Sequence, residues 1–232
     1  MTKVIGHRGA RGLAPENTLA AIEAGIGAGA DEIEIDVRVT RDGVPVLNHN
    51  PFLQDNQGND MPHVRIHEQN YAELLTRKDS LATLEEAIRL ANRRMPMIIE
   101  VKPKVHISPV VKTIQAFLGE GWQPGDFLLA SFSQRTLRAL HRELPQLEPI
   151  VLEHISMVIA RMRAKEVGAR RIGLNHHIVW WGLVSAVKRG EYQLSVHTLN
   201  DPRKARRWAK RGLYAIVTDY PARIKTALAE DT

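Results

Sequence analysis

The sequence predicts an α/β chain folded as one (β/α)₈ TIM barrel, with a small insertion after the second strand. Three observations predict it. Eight short β-rich apolar runs alternate with eight segments of helical periodicity. The length, 232 residues, matches one domain of about 200–250 residues. No GxGxxG or P-loop motif follows a strand, as a doubly wound nucleotide fold would require.

The strands are expected at Val4–His7, Glu32–Val37, Met97–Lys102, Phe127–Phe132, Pro149–Glu153, Arg171–Asn175, Gln193–Thr198 and Ala215–Asp219. The helices are expected at Thr18–Gly27, Thr83–Asn92, Pro109–Glu120, Gln134–Glu143, Ser156–Val167, Leu183–Arg189, Pro202–Arg211 and Ala222–Ala229. Asn17-Thr18 offers a cap for the first helix, and Glu85 and Glu86 put acids in the first turn after Thr83. Gly190 and Gly212 follow basic helix ends, and Gly25, Gly27 and Gly29 close the first helix before the Glu32 strand.

One segment breaks the alternation. Val44–His49 follows the Glu32 strand with no room for a helix, and Asp42-Gly43 between them is a hairpin-turn signal. Residues 50–80 are polar and without clear period, so they are expected to be an irregular insertion or lid over the barrel mouth. The whole chain, 1–232, is otherwise expected to be a single barrel.

Composition removes several functions. There is no cysteine, which excludes disulfide scaffolds, thiolate metal sites and cysteine nucleophiles. The net charge is +6, but the bases cluster late: Arg161 to Arg211 holds thirteen Lys/Arg against three acids. They fall at spacings of a solvated helix face, so no nucleic-acid partner is expected. With no secretory leader and no apolar run of about 18 residues, a cytoplasmic protein without stable membrane association is expected, monomeric or homodimeric.

Reactive side chains gather at the predicted C-terminal strand ends, where barrels of this class place their sites. Glu34 and Asp36 have period-two spacing, so both face one side of their strand, and Ile33, Ile35 and Val37 face the helices. Glu100 and Lys102 repeat the pattern on the next strand. Three carboxylates converging inside a barrel repel one another unless neutralised. A hard divalent cation, Mg²⁺ or Ca²⁺, is the expected cofactor because it takes oxygen ligands; the alternative is an ion network with Arg8, Arg38 and Lys102. His7 and His49 flank this group as acid/base candidates. Arg8 and Lys102 are placed to hold an anion, which together point to phosphoryl chemistry. Ser131 and Ser133 lack the elbow and base of a serine hydrolase.

The motifs His7-Arg8-Gly9, Pro15-Glu16-Asn17-Thr18, Glu34-Ile35-Asp36, Thr40-Arg41-Asp42-Gly43 and His49 resemble the opening of the glycerophosphodiester phosphodiesterases. Ile99-Glu100-Val101-Lys102, Ser131-Phe132, Thr198-Leu199-Asn200-Asp201 and Thr218-Asp219-Tyr220-Pro221 follow in that family's order. The resemblance implies a (β/α)₈ barrel that hydrolyses a small glycerophosphodiester to sn-glycerol 3-phosphate and an alcohol. By position it implies Glu34, Asp36 and Glu100 as metal ligands, His7 and His49 as general acid and base, and Arg8 and Lys102 as phosphate contacts. Pro15–Thr18 is expected to be structural.

The chain departs from the family pattern in three places. Asn50 stands where aspartate usually follows the histidine, and Leu53-Gln54-Asp55-Asn56 replaces the usual Leu-x-Arg-Thr-Thr. His197 stands where the family has tryptophan, and Trp180 and Trp181 are candidates for the lost aromatic wall. A lysophospholipid or phosphoinositol substrate is the near alternative. A non-catalytic phosphate-ester-binding barrel is the distant one.

Overall fold

The computed structural model describes residues 1–180, 182–184 and 192–230. Eight parallel strands close on themselves: β1 (Lys3–Gly6), β2 (Glu32–Val39), β6 (Met97–Val101), β7 (Phe127–Ser131), β8 (Glu148–Glu153), β9 (Arg171–Asn175), β10 (Gln193–His197) and β11 (Ala215–Thr218). They pair in chain order, and β1 pairs with both β2 and β11, which shuts the barrel. The expected hairpin is present as β3 (Pro45–Leu47), antiparallel to β2 with Val37 opposite Leu47.

Helices fill the connections: α1 (Leu19–Gly27), α3 (Leu84–Ala91), α4 (Ser108–Gly119), α5 (Gln134–Glu143), α6 (Met157–Glu166), α7 (Pro202–Lys210) and α8 (Pro221–Ala229). Thr18 caps α1 by accepting from the Ala21 N–H, and Thr83 and Glu86 form a capping box at α3. The helix expected over Leu183–Arg189 lies outside the described residues from position 185 on.

The period-two logic holds in the core. Ile33, Ile35 and Val37 of β2 pack with Ile99 and Val101 of β6 against the Ile22, Ile88 and Ile114 side chains of α1, α3 and α4. Inside the barrel, Ile5, Ile98, Leu128, Ala130, Ile150, Ala215 and Val217 form a middle apolar layer. Below it, Arg171 is paired with Glu32 through Nη2 at 2.6 Å, and Lys3 reaches the same carboxylate at 2.7 Å. The apolar layer therefore separates this ion pair at the N-terminal end from the polar groups at the C-terminal end.

Residues 50–80 are more regular than the sequence pattern predicts. They contain a two-stranded antiparallel sheet, β4 (Phe52–Gln54) with β5 (Asp60–Arg65), and a short helix α2 (Tyr71–Leu75). Leu53, Val64, Ile66, Leu74 and Leu81 gather with Val46 into a small core of their own. Apolar residues spaced this widely leave no period to read, although Asn70 and Glu73 carry the capping-box signature of α2.

Candidate active site

The His7-Arg8-Gly9 turn leaves β1 in a left-handed conformation, with φ of 52° at Arg8 and 86° at Gly9. A Cβ at Gly9 would stand 2.4 Å from the Ala21 carbonyl carbon, so only glycine lets the turn lie against α1. The turn aims the Arg8 N–H at Glu34 Oε2, 2.9 Å away, and brings the Arg8 guanidinium to Glu16 at 2.7 Å and Asp36 at 3.2 Å. His7 Nδ1 lies 2.7 Å from Asp219 Oδ1 at the end of β11.

Glu34, Asp36 and Glu100 offer oxygen atoms within 4.8 Å of one another, and all three are buried. Lys102 Nζ stands 2.5 Å from both Asp36 Oδ1 and Glu100 Oε1. Burial opposes ionisation of Asp36, but Lys102 and Arg8 outweigh it and hold that carboxyl below the usual carboxylate range. Glu34 goes the other way. Burial, then Asp36 and Glu100, raise it well above its ordinary value, and it forms no salt bridge among the described residues. Glu100 is pushed up to about 7 by burial and Asp36. Two nearby cations thus leave three carboxylates short of positive charge, and an all-oxygen donor set of that kind fits a hard divalent ion.

The alternative ion network is present only in part. Arg8 and Lys102 join it, but Arg38 does not: its Nε and Nη2 donate to the His49 carbonyl at 3.0 and 2.7 Å. That grip fixes the backbone of His49, whose ring is pushed down to about 4 by burial, with Lys102 and Arg8 adding to the shift. Burial likewise lowers His7, against the pull of Asp219.

A cavity of about 490 Å³ joins these residues, and its lining includes His7, Arg8, Glu34, Asp36, His49, Asn50, Glu100 and Lys102. Phe132, Leu152, His154, His197, Thr198 and Val217 also line it. Phe132 and His154 stack at 4.0 Å between ring centroids, and His197 stands edge-on to both. Arg163 fixes this wall by donating to the Leu152 and Phe132 carbonyls at 3.0 and 2.9 Å and pairing with Glu153 at 2.9 Å. Of the two tryptophan candidates, the described one stands apart from it. Trp180 is 59% exposed and is not among the lining residues, and Trp181 lies outside the described residues.

The PENT segment does more than shape its loop. Thr18 caps α1, while Asn17 turns inward and bonds Asp36. Ser131 is buried and donates to the Val101 carbonyl, and Ser133 caps α5, so neither is a free nucleophile. Asn175 accepts the His177 N–H at the end of β9 and stays outside the cavity lining.

A closed (β/α)₈ barrel with carboxylates, histidines and cations converging at its C-terminal strand ends defines a barrel enzyme, its mouth fitted for a cation and an anion together. The chain belongs to the glycerophosphoryl diester phosphodiesterase family, whose sequence profile matches residues 7–223. A glycerophosphodiester phosphodiesterase of Bacillus altitudinis is 29% identical over 241 residues, spanning 96% of each chain. A phosphodiesterase of Oleispira antarctica, solved in complex with the product sn-glycerol-3-phosphate, is 26% identical with a TM-score of 0.86, covering 99% of this chain and 97% of that one. A Silicibacter pomeroyi structure shares the fold at a TM-score of 0.84 and 24% identity, covering 100% of this chain and 94% of that one.

Proposed function

We propose that the chain hydrolyses glycerophosphodiesters to sn-glycerol 3-phosphate and an alcohol, with a divalent cation, Mg²⁺ or Ca²⁺, held by Glu34, Asp36 and Glu100. The observation that carries this is the trio of buried carboxylates within 4.8 Å, sharing one cavity with His7 and His49. Family membership and the product-bound relative support the substrate class. The bound cation would polarise the phosphoryl oxygens and neutralise charge developing on them.

The chain's own groups then divide the work. Arg8 and Lys102 line the cavity and pair with its carboxylates, and they hold the phosphate. His7 and His49 act as the proton-transfer pair. One takes a proton from the attacking hydroxyl, water or the glycerol 2-hydroxyl, and the other gives one to the leaving alkoxide. Asp219 holds the His7 ring and Arg38 holds the His49 backbone before substrate arrives. Phe132, His154 and His197 supply an aromatic wall of the same cavity, against which the organic part of the ester fits.

No helix among the described residues is long and apolar enough to cross a membrane. We assign the chain to the cytoplasm, as a monomer or homodimer acting on water-soluble headgroup diesters. The test is a substrate panel with Mg²⁺ or Ca²⁺: glycerophosphocholine and glycerophosphoethanolamine should release glycerol 3-phosphate. Faster turnover of a detergent-dispersed lysophospholipid, or of a phosphoinositol ester, would replace the substrate. Tight metal-independent binding without turnover would replace the enzyme with a binding barrel.

A further inference from the structure

Asn50 occupies the position where the family pattern has aspartate, and its surroundings are built to hold it. Asn48 has no exposed surface and donates through Nδ2 to the carbonyls of Asn50 and Phe52 at 2.8 and 2.9 Å. With Arg38 on the His49 carbonyl, the turn is pinned from both sides. Asn50 Oδ1 then lies 2.8 Å from His49 Nδ1. On its other side Asn50 Nδ2 lies 2.7 and 2.9 Å from the two carboxylate oxygens of Asp60. Asp60 opens β5, opposite Gln54, after a turn in which Asp55 accepts the N–H groups of Gln57 and Asn59.

We propose that Asp60 is a positioning residue for His49, acting through the Asn50 amide. The physical reason is the two-faced character of that amide. A carboxylate only accepts hydrogen bonds, so Asp60 takes the NH₂ and leaves the oxygen to face His49. The oxygen in turn requires a proton on His49 Nδ1, which leaves Nε2 with the free lone pair. Without Asp60 the amide can turn over and offer its NH₂ to Nδ1. That selects the opposite tautomer, whose protonated Nε2 cannot accept a proton. The carboxylate missing beside the histidine is thus supplied one residue removed, from the 50–80 insertion, which gives that segment a part in the site. His49 also faces the charges of Asp36, Lys102 and Arg8, and Asp60 stands apart from them on the outer side of Asn50.

The inference rests on His49 exchanging a proton in the proposed reaction, so its test pairs turnover with a readout that needs none. Long-range ¹H–¹⁵N spectra of the full-length protein, with the His49 signals assigned by their loss in His49→Gln, report the tautomer. The expected wild-type state is Nδ1–H. In Asp60→Ala that tautomer should be lost or mixed. Its kcat should fall about 10- to 100-fold, the scale of losing a group that orients an imidazole, with KM within about twofold. The exchange Asn50→Asp with Asp60→Asn places a carboxylate directly on Nδ1 and should restore both the tautomer and most of kcat. An unchanged tautomer in Asp60→Ala overturns the proposal. So does a double variant as impaired as the single one, because Asp60 would then serve only the hairpin. Wild-type protein inert on every glycerophosphodiester, with the tautomer still shifting in Asp60→Ala, would refute the proposed function and leave the positioning role standing.

Discussion

Asn17 and Asp36 exchange two hydrogen bonds across the barrel mouth. Asn17 Nδ2 donates to Asp36 Oδ2 at 2.9 Å, and the Asp36 N–H donates to Asn17 Oδ1 at 3.0 Å. One side chain therefore fixes both the backbone and the carboxylate of a proposed metal ligand. Asn17 sits at φ 56°, a left-handed conformation that asparagine and glycine tolerate best. Asn17→Gly keeps that backbone and deletes both bonds. It should fold normally and need about 10- to 100-fold more metal for half-maximal activity, measured by titrating Mg²⁺ or Ca²⁺ against rate. An unchanged metal requirement would show that Asp36 is held without Asn17.

The carboxylate trio would make the proposed metal binding pH-dependent. Glu34 and Glu100 have raised values in the folded chain, Glu100 to about 7. A carboxyl raised on folding favours its protonated form there, so its contribution to stability is full below the unfolded value and is lost as pH rises through the folded one. Divalent binding must displace those protons. The rise in melting temperature on adding Ca²⁺ or Mg²⁺ should therefore be larger at pH 8 than at pH 5.5. A rise that is equal at both, or larger in acid, would contradict this.

Asp219 carries three bonds at once: His7 and Arg11 at 2.7 Å on Oδ1, and Asn200 at 2.7 Å on Oδ2. These outweigh burial and hold its carboxyl below the usual range. The stability it contributes is thus present above the unfolded value near 3.8 and is lost as pH falls below it. Asp219→Asn should lower kcat by about 100-fold, the scale of a mispositioned proton carrier. Its melting temperature should also fall less steeply than that of the wild type on acidification below pH 4. Unaltered kcat would remove His7 from the mechanism or Asp219 from its support.

At the other end of the barrel, Arg171 and Glu32 are both almost fully buried. Arg171→Met leaves Glu32 with Lys3 as its remaining partner. The expected loss is about 3 kcal/mol, or a melting temperature lower by roughly 10 °C, at unchanged kcat. A matching loss of kcat would mean that the apolar middle layer does not insulate the site from the barrel floor.

The barrel and its inward acids were legible because both follow from period: two along a strand, and a strand–helix alternation along the chain. Glu34, Asp36 and Glu100 needed only that pattern to be placed together. Asn17 on Asp36, Arg38 on the His49 carbonyl and Arg163 on the Phe132 carbonyl were not legible. Each is a contact between a side chain and a distant backbone or loop, and no local spacing encodes it. Asp60 was hidden for another reason. It lies in a polar insertion whose small core is spread over Leu53, Val64, Ile66, Leu74 and Leu81, so the segment reads as irregular and its register cannot be guessed. The wall of Phe132 and His154 had one signal, the Ser131-Phe132 motif at a strand end, whereas Trp180, a candidate for that wall, is exposed and outside the cavity lining.

The central claim is that Glu34, Asp36 and Glu100 hold a cation required for phosphodiester hydrolysis. It is tested most directly by glycerol 3-phosphate release from glycerophosphoethanolamine before metal stripping with EDTA, after it, and after re-addition of Mg²⁺ or Ca²⁺. The expected result is turnover that vanishes on stripping and returns on re-addition in the wild type but not in Glu34→Ala. Turnover indifferent to EDTA, or full activity in Glu34→Ala, would contradict it.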